Sequence, residues 1–329
     1  MNHFVLKAAQ KIYGLAVACK NFLYDSGLAD SLQVSASVIS VGNLTVGGTG
    51  KTPIIDHILF EAGSRELTAA VVSRNYKAKC RGIHRIDTQR DHGAVYFGDE
   101  PFLLALRHPS SVVYVGPKKV MTAAQVAQEV QPRLILVDDG FQHRALHRDF
   151  EVLLLDATKD FAHYELLPVG RAREAWDSIG RAHLVILTKV NLTSAEHLAS
   201  IQERLPVALP LALAEYQVGF PSAVLEGGRF FVFSGLADQD SFQKSLAAFK
   251  VAEFAVFADH HAYNNQDIQK LEDRARQLGC DKILTTAKDY VKVKSLKHSI
   301  DLYEVIELTI VWRIPPVSLY EFLDKIRSL

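Results

Sequence analysis

The sequence predicts an α/β protein: a doubly wound, mainly parallel sheet, followed by a second, smaller α/β unit and preceded by an amphipathic helix. Three observations predict it. Short β-branched runs alternate with helix-patterned segments along most of the chain, which is the signature of parallel strands joined by crossover helices. One such run leads through a Gly-rich loop directly into a helix, Val38-Ile-Ser-Val-Gly-Asn43-Leu-Thr-Val-Gly47-Gly48-Thr49-Gly50-Lys51-Thr52-Pro53. A second, shorter series of strands and helices starts near Arg229. With 329 residues the chain suits more than one unit at roughly 150 residues each. The expected division is residues 1–30, 31–216 and 217–329.

Strand, glycines, Lys-Thr and helix in that order make a phosphate-binding loop, so the larger unit is of the P-loop NTPase type. Glycines let backbone amides crowd around phosphate oxygens, and the helix N-terminus adds positive potential. The expected nucleotide contacts are Thr45, Val46, Gly47, Gly48, Thr49, Gly50, Lys51 and Thr52. Lys51 is expected at the β- and γ-phosphates and the Thr52 hydroxyl on Mg²⁺. Thr45 stands where the usual pattern has its first glycine.

Composition narrows the function. Lys and Arg total 37, as do Asp and Glu. A nucleic-acid binder usually carries a basic excess, so none is expected as a partner. The three cysteines, Cys19, Cys80 and Cys280, lack the paired spacing of a zinc site and read as reduced thiols.

Residues 4–24 are patterned as a helix, with Phe4, Ala8, Ile12, Leu15, Cys19 and Phe22 on one stripe. Its longest apolar run, Ile12 to Cys19, is short of the ~20 residues that span a bilayer. Two readings stand: an interfacial helix with its stripe in lipid, or a helix packed on the domain.

After the loop helix, Thr68–Ser73 is a strand ending in Ser-Arg-Asn-Tyr76. Strand ends are where open α/β sheets put ligands, so Arg74 is a phosphate candidate or a surface residue. Asp99 and Glu100 open a helix, where carboxylates are favourable as simple caps. The strand at 133–138 ends in Asp138-Asp139, the expected Mg²⁺ partners; the strand ending in Asp156 competes, and two adjacent carboxylates favour the first. Thr188-Lys189-Val190-Asn191 approaches a guanine-reading motif but lacks its final Asp. In the second half, Asp259-His260-His261 ends a strand, as a metal site, a proton-transfer pair or a helix cap. Thr285-Thr286-Ala287-Lys288-Asp289 ends another.

Taken together, these motifs resemble the tetraacyldisaccharide 4′-kinases, the lipid A kinases of Gram-negative bacteria. The resemblance is carried by the Thr-started loop, Ser73-Arg74-x-Tyr76, Gly98-Asp99-Glu100-Pro101, Asp138-Asp139-Gly-Phe-Gln142-His143, Leu167-Pro168-x-Gly170, Arg173-Glu174, Phe233-Ser-Gly235, Asp259-His-His261-x-Tyr263 and Thr285-Thr286-x-Lys288-Asp289. It covers nearly the whole chain in one order. Asn75, the segment Val169–Arg173 and the lysine pair Lys118–Lys119 depart from the family's usual residues.

The resemblance implies ATP- and Mg²⁺-dependent transfer of a γ-phosphoryl group to the 4′-hydroxyl of tetraacyldisaccharide 1-phosphate, with an active site between two α/β units. It implies Asp99 as base with His261 paired to it, beside Lys51. The candidate substrate contacts are Asn43, Arg74, Gln142, His143, Arg171, Arg173 and Lys288, the charged ones read equally as a solvated face. The resemblance favours an N-terminal helix on the cytoplasmic face of the inner membrane, a peripheral attachment, and it requires no protein partner. The rival readings are a P-loop GTPase or metallochaperone, from the Thr-Lys-x-Asn run and the histidines, and a membrane-recruited ATPase.

Overall fold

The computed structural model describes residues 3–75, 78–90, 93–219, 227–294, 296 and 300–328. Tyr76 of the Ser-Arg-x-Tyr motif lies outside the described residues. The larger part of the sheet holds β1 (Ser37–Asn43), β2 (Ala69–Arg74), β3 (His84–Arg85), β4 (Val112–Gly116), β5 (Leu134–Asp138), β6 (Phe150–Asp156), β7 (Leu184–Thr188) and β8 (Leu211–Gly219). The smaller part holds β9 (Arg229–Ser234), β10 (Lys250–Val256) and β11 (Lys282–Thr286). β12 (Tyr303–Ile314) belongs to both.

Strand order is β10-β9-β11-β12-β8-β7-β6-β1-β5-β2-β4-β3. Among the described strands only β12 with β8 and β3 with β4 pair antiparallel. β1, β5, β6 and β7 are Val/Ile/Leu runs buried on both faces, as a helix-covered parallel sheet requires. β1 lies between β5 and β6, so the chain departs from it in opposite directions. That reversal opens the crevice in which such sheets bind ligands, and the Gly-rich loop leaves β1 there.

The helices are α1 (His3–Asp25), α2 (Lys51–Ser64), α3 (Gly93–Phe97), α4 (Asp99–Arg107), α5 (Lys119–Glu129), α6 (Ala195–Gln202), α7 (Gln239–Ser245), α8 (Asn265–Gln277), α9 (Ala287–Val293) and α10 (Val317–Ser328). α2 starts at Lys51 and carries Pro53 in its first turn. Proline is tolerated there because the amides of the first turn have no intrahelical partner.

Two differences from expectation bear on the site. The run Arg181–Lys189 in the sequence indicates a strand; the strand starts only at Leu184, because Trp176–Arg181 forms a 3₁₀ helix. The end of the expected C-terminal unit also returns to the larger core. Tyr303–Ile306 of β12 pair with β11, while residues from Glu307 onward pair with β8. Leu319, Leu323 and Ile326 of α10 then share a hydrophobic core with Ile54, Ile55 and Ile58 of α2. That burial anchors the last strand and helix on the nucleotide half.

α1 turns its polar side inward. Lys7 pairs with Glu165 at 2.7 Å, Tyr13 donates to the Arg173 carbonyl at 2.9 Å and Asn21 to Glu174 at 2.7 Å. The apolar stripe points out: Phe4 is 78% exposed, Ile12 72%, Leu15 67% and Phe22 63%. A packed helix would show the reverse polarity. No helix of the described residues is long and apolar enough to cross a membrane.

Candidate active site

A cleft of about 820 Å³ separates the phosphate loop from the C-terminal half. Gly47–Pro53, Glu100 and Arg171 line one side; Asp238, Asp259, His260 and Lys288 line the other. The loop is held by its carbonyls. Asn43 Nδ2 donates to Thr45 O at 2.9 Å, the Thr188 hydroxyl to Thr49 O at 3.1 Å and the Tyr216 hydroxyl to Gly50 O at 2.7 Å. The Val46 amide donates to Arg171 O at 2.9 Å. Gly47 (φ 114°) and Gly50 (φ 82°) take conformations that other residues rarely adopt.

Lys51 Nζ stands 3.2 Å from Asn43 Oδ1 and 3.5 Å from Asp139 Oδ1. The Thr52 hydroxyl donates to Glu100 Oε2 at 3.0 Å. As a residue type Glu100 reads as a helix cap; the fold turns it onto the loop. Lys288 binds it at 2.9 Å and holds its carboxyl low against the effect of burial.

The two aspartates at the end of β5 divide. Ser73 donates to Asp138 Oδ2 at 2.7 Å, while Asp138 Oδ1 is buried with no hydrogen-bond partner among the described residues. Burial, reinforced by Glu100, pushes the Asp138 carboxyl up. Asp139 receives both ends of Arg173, at 2.8 and 2.7 Å, and despite burial that guanidinium holds it far below the usual carboxylate range. Arg173 also binds Asn43 Oδ1 at 2.7 Å, so this expected substrate contact is engaged in an internal ion pair. Asp156, the competing strand-end carboxylate, is saturated: Lys189 at 2.6 Å on one oxygen, the Thr158 hydroxyl at 2.6 Å on the other.

Asp99, at the N-terminus of α4, is 6% exposed. His260 Nδ1 lies 3.0 Å from its Oδ2, Lys292 3.6 Å and Lys288 4.0 Å. Burial alone would raise the carboxyl; the His260 hydrogen bond and the two lysines bring it down to about 2. The partner expected from the resemblance was His261. Its Nε2 instead lies 3.1 Å from Asp267, and its ring packs on Phe257 and Tyr263. His260 sits at φ 62°, a left-handed residue that turns its own ring to the cleft and its neighbour's into the core. Asp99, Glu100 and His260 come within metal-ligand reach of one another, yet Lys288 and Lys292 occupy the same cluster. Asp259 pairs with Lys288 at 3.2 Å.

The other candidates spread over two places. Arg171 is exposed on the cleft beside Gly47. Arg74 is exposed at the end of β2. Gln142 is bound to Asn43 O at 3.0 Å. His143, half-buried near Lys119, Arg74 and Lys20, is pushed down to about 4 by desolvation and by Lys119. Lys119, 2% exposed, donates to Asp139 O at 2.6 Å, and burial lowers it to about 8.

The guanine-like run is engaged within the protein. Asn191 grips the Tyr216 backbone, Nδ2 to O at 2.9 Å and Oδ1 from N at 3.0 Å. Lys189 binds Asp156 and Asp238. These side chains brace β7, β8 and α7, which removes the feature behind the GTPase reading.

Comparisons with known proteins identify the family. The family model described as Tetraacyldisaccharide-1-P 4′-kinase matches residues 2–327. The tetraacyldisaccharide 4′-kinase of Bdellovibrio bacteriovorus is 39% identical over 303 residues, 88% of this chain and 89% of the relative. That of Geobacter metallireducens is 32% identical over 324 residues, 95% of each. The crystal structure of LpxK from Aquifex aeolicus in complex with ATP superposes with a TM-score of 0.76 at 26% identity, over 97% of both chains. Loop, carboxylates and full-length similarity lead to one conclusion: the chain belongs to the tetraacyldisaccharide-1-P 4′-kinase family.

Proposed function

We propose that this chain, a tetraacyldisaccharide 4′-kinase of lipid A biosynthesis, works by aligning the sugar hydroxyl against ATP between the phosphate loop and Asp99. The observation that carries this reading is a single cleft bounded by Gly47–Thr52 on one side and by the Asp99-bound His260 on the other. ATP lies with its phosphates on the loop amides, and Lys51 neutralises charge on the β- and γ-phosphates. The bond from the γ-phosphorus to its bridging oxygen breaks as the 4′-oxygen bonds to phosphorus; the hydroxyl proton passes to Asp99, and ADP leaves. Such transfers depend on positioning and charge more than on base strength, which suits a carboxylate as weak as Asp99. His260 fixes its orientation.

The residues present fit a divalent cation. The Thr52 hydroxyl, the Glu100 carboxylate and the unpaired buried oxygen of Asp138 are hard oxygen donors next to the loop. Mg²⁺ bound there supplies charge neutralisation on the phosphates. Asp139 has a different task, holding Arg173 and Asn43 around Lys51.

The substrate's own phosphate suits the exposed Arg74 guanidinium and the exposed Lys20 ammonium of α1, both close to His143. Four acyl chains make the substrate insoluble in water, so the enzyme must meet it at an interface. The exposed stripe of α1 supports a peripheral seat on the cytoplasmic face of the inner membrane. The division into 1–30, 31–216 and 217–329 belongs to this proposal, with 307–328 acting as the strap back to the nucleotide half.

The test is transfer of labelled γ-phosphate from ATP to the disaccharide 1-phosphate in detergent micelles, with Lys51→Ala and Asp99→Ala beside wild type. Strong loss of lipid labelling in both supports the reading. Unchanged labelling in Asp99→Ala removes Asp99 from it. Vesicle flotation of Ile12→Ser/Leu15→Ser against wild type tests the interfacial role of α1.

A further inference from the structure

Lys292 takes no part in the reaction as described, yet its side chain is only 6% exposed and points at Asp99. It sits on α9, the helix that packs against α4. Its ammonium lies 2.9 Å from Asp289 Oδ1, 3.6 Å from Asp99 Oδ2 and 5.1 Å from the centre of the Tyr263 ring. It meets hydrogen-bond geometry with neither carboxylate. A buried ammonium is costly unless something in the site requires its charge.

Asp289 does not require it. That carboxylate is fully buried and already accepts from the Gly235 amide at 2.9 Å, the Tyr263 hydroxyl at 3.0 Å and the Thr286 hydroxyl at 2.8 Å. Asp99 is different. Among the described residues its hydrogen bonds come from the neighbouring Glu100 amide and from His260, and both reach Oδ1. Oδ2, shared with His260, is the oxygen that Lys292 faces.

We propose that Lys292 is a positioning residue for the phosphoryl transfer, fixing the Asp99 carboxylate through Oδ2 from α9, the helix that packs on α4. Asp99 rides on α4 of the nucleotide half and Lys292 on α9 of the C-terminal half. The contact therefore sets the carboxylate only when those two helices stand together. This inference rests on the reading of Asp99 as the group that meets the acceptor hydroxyl.

The experiment compares kcat and KM in the micelle assay for wild type, Lys292→Met, Lys292→Arg, Asp99→Asn and Lys292→Met/Asp99→Asn. Thermal unfolding is followed for each. The expected result is a kcat about 10- to 100-fold lower in folded Lys292→Met, with KM for ATP within about threefold. Lys292→Arg restores most of the rate. In the Asp99→Asn background the Lys292 change costs less than about twofold more, because residues acting as a unit are non-additive. Should Lys292→Met not fold, Lys292→Gln, which keeps a polar head beside Asp289, is held to the same criteria.

A folded neutral variant with wild-type kcat overturns the inference, as does a loss that multiplies fully with that of Asp99→Asn. If Asp99→Asn itself keeps wild-type kcat, it is the reading of Asp99 that fails. If Asp99→Asn is crippled while the folded Lys292 variants are not, only the role of Lys292 fails.

Discussion

The hydroxyl of Tyr216 donates to the carbonyl of Gly50 at 2.7 Å, so the last turn of the phosphate loop hangs from β8, the strand that pairs with β12. Tyr216 is itself fixed by Asn191, which binds both its backbone polar groups. The loop's shape is thereby tied to the segment that joins the two halves of the sheet.

Removing that hydroxyl should loosen the loop without unfolding it. Tyr216→Phe loses one buried hydrogen bond, about 1 kcal/mol, and should raise KM for ATP about fivefold. Gly50→Ala should be far worse. An added Cβ would stand 2.7 Å from ring carbons of Tyr216 and would be held at φ 82°. Steady-state kinetics at varied ATP separates the two.

The adjacent histidines give a sharper comparison. His260 holds Asp99, whereas His261 binds Asp267 in a cap and packs among aromatic rings. His260→Ala should lower kcat about 100-fold with little change in unfolding temperature. His261→Ala should keep most of kcat and lose about 1–2 kcal/mol of stability. The reverse outcome would return the pairing to His261.

Glu100 faces the Thr52 hydroxyl across the loop. If it helps hold the cation, Glu100→Gln should raise the Mg²⁺ concentration for half-maximal rate about tenfold or more, with ATP affinity measured without metal unchanged. A Mg²⁺ dependence identical to wild type would make Glu100 a partner of Lys288 and Thr52 alone.

His57, on α2, carries a pH prediction. Trp312 Nε1 donates to its Nε2 at 3.2 Å, and the Tyr320 hydroxyl lies 3.0 Å from the same atom. Indole is a donor only, so Nε2 must keep its lone pair and the ring is neutral. Burial, with Arg65, lowers the imidazole below its ordinary 6.5, against the pull of Glu61 and Asp56. The unfolded chain therefore takes the proton first. The stability this ring contributes is full above about pH 6.5 and is lost as pH falls below it. The unfolding temperature should drop from pH 6.5 to 5, and less steeply in His57→Gln, whose carbonyl can still accept from Trp312. The His57 ring resonance should titrate below 6.5.

The residues of the loop were legible in the chain because their chemistry is local. Gly47–Thr52 follow a strand and open a helix whatever the rest of the protein does, and Asp138-Asp139 end another buried run. Chain proximity also left real ambiguity. His260 and His261 differ by one position, and only the left-handed turn at His260 and the aromatic core around His261 decide which ring reaches Asp99. Asp138, Asp139 and Asp156 all end buried strands, and only Arg173, Lys189 and Thr158 separate an open carboxylate from saturated ones.

By itself, then, the sequence determined the alternating α/β order, the phosphate loop and the family, since periodicity and short motifs are written within a few consecutive residues. Tertiary structure decided what needs residues far apart to meet. It brought Glu100 to Thr52 and Lys292 to Asp99, hung Gly50 from Tyr216, and carried β12 and α10 back onto the first half. Those contacts arise from burial and charge pairing between segments far apart in the chain, and no local pattern encodes which carboxylate a buried ammonium will face.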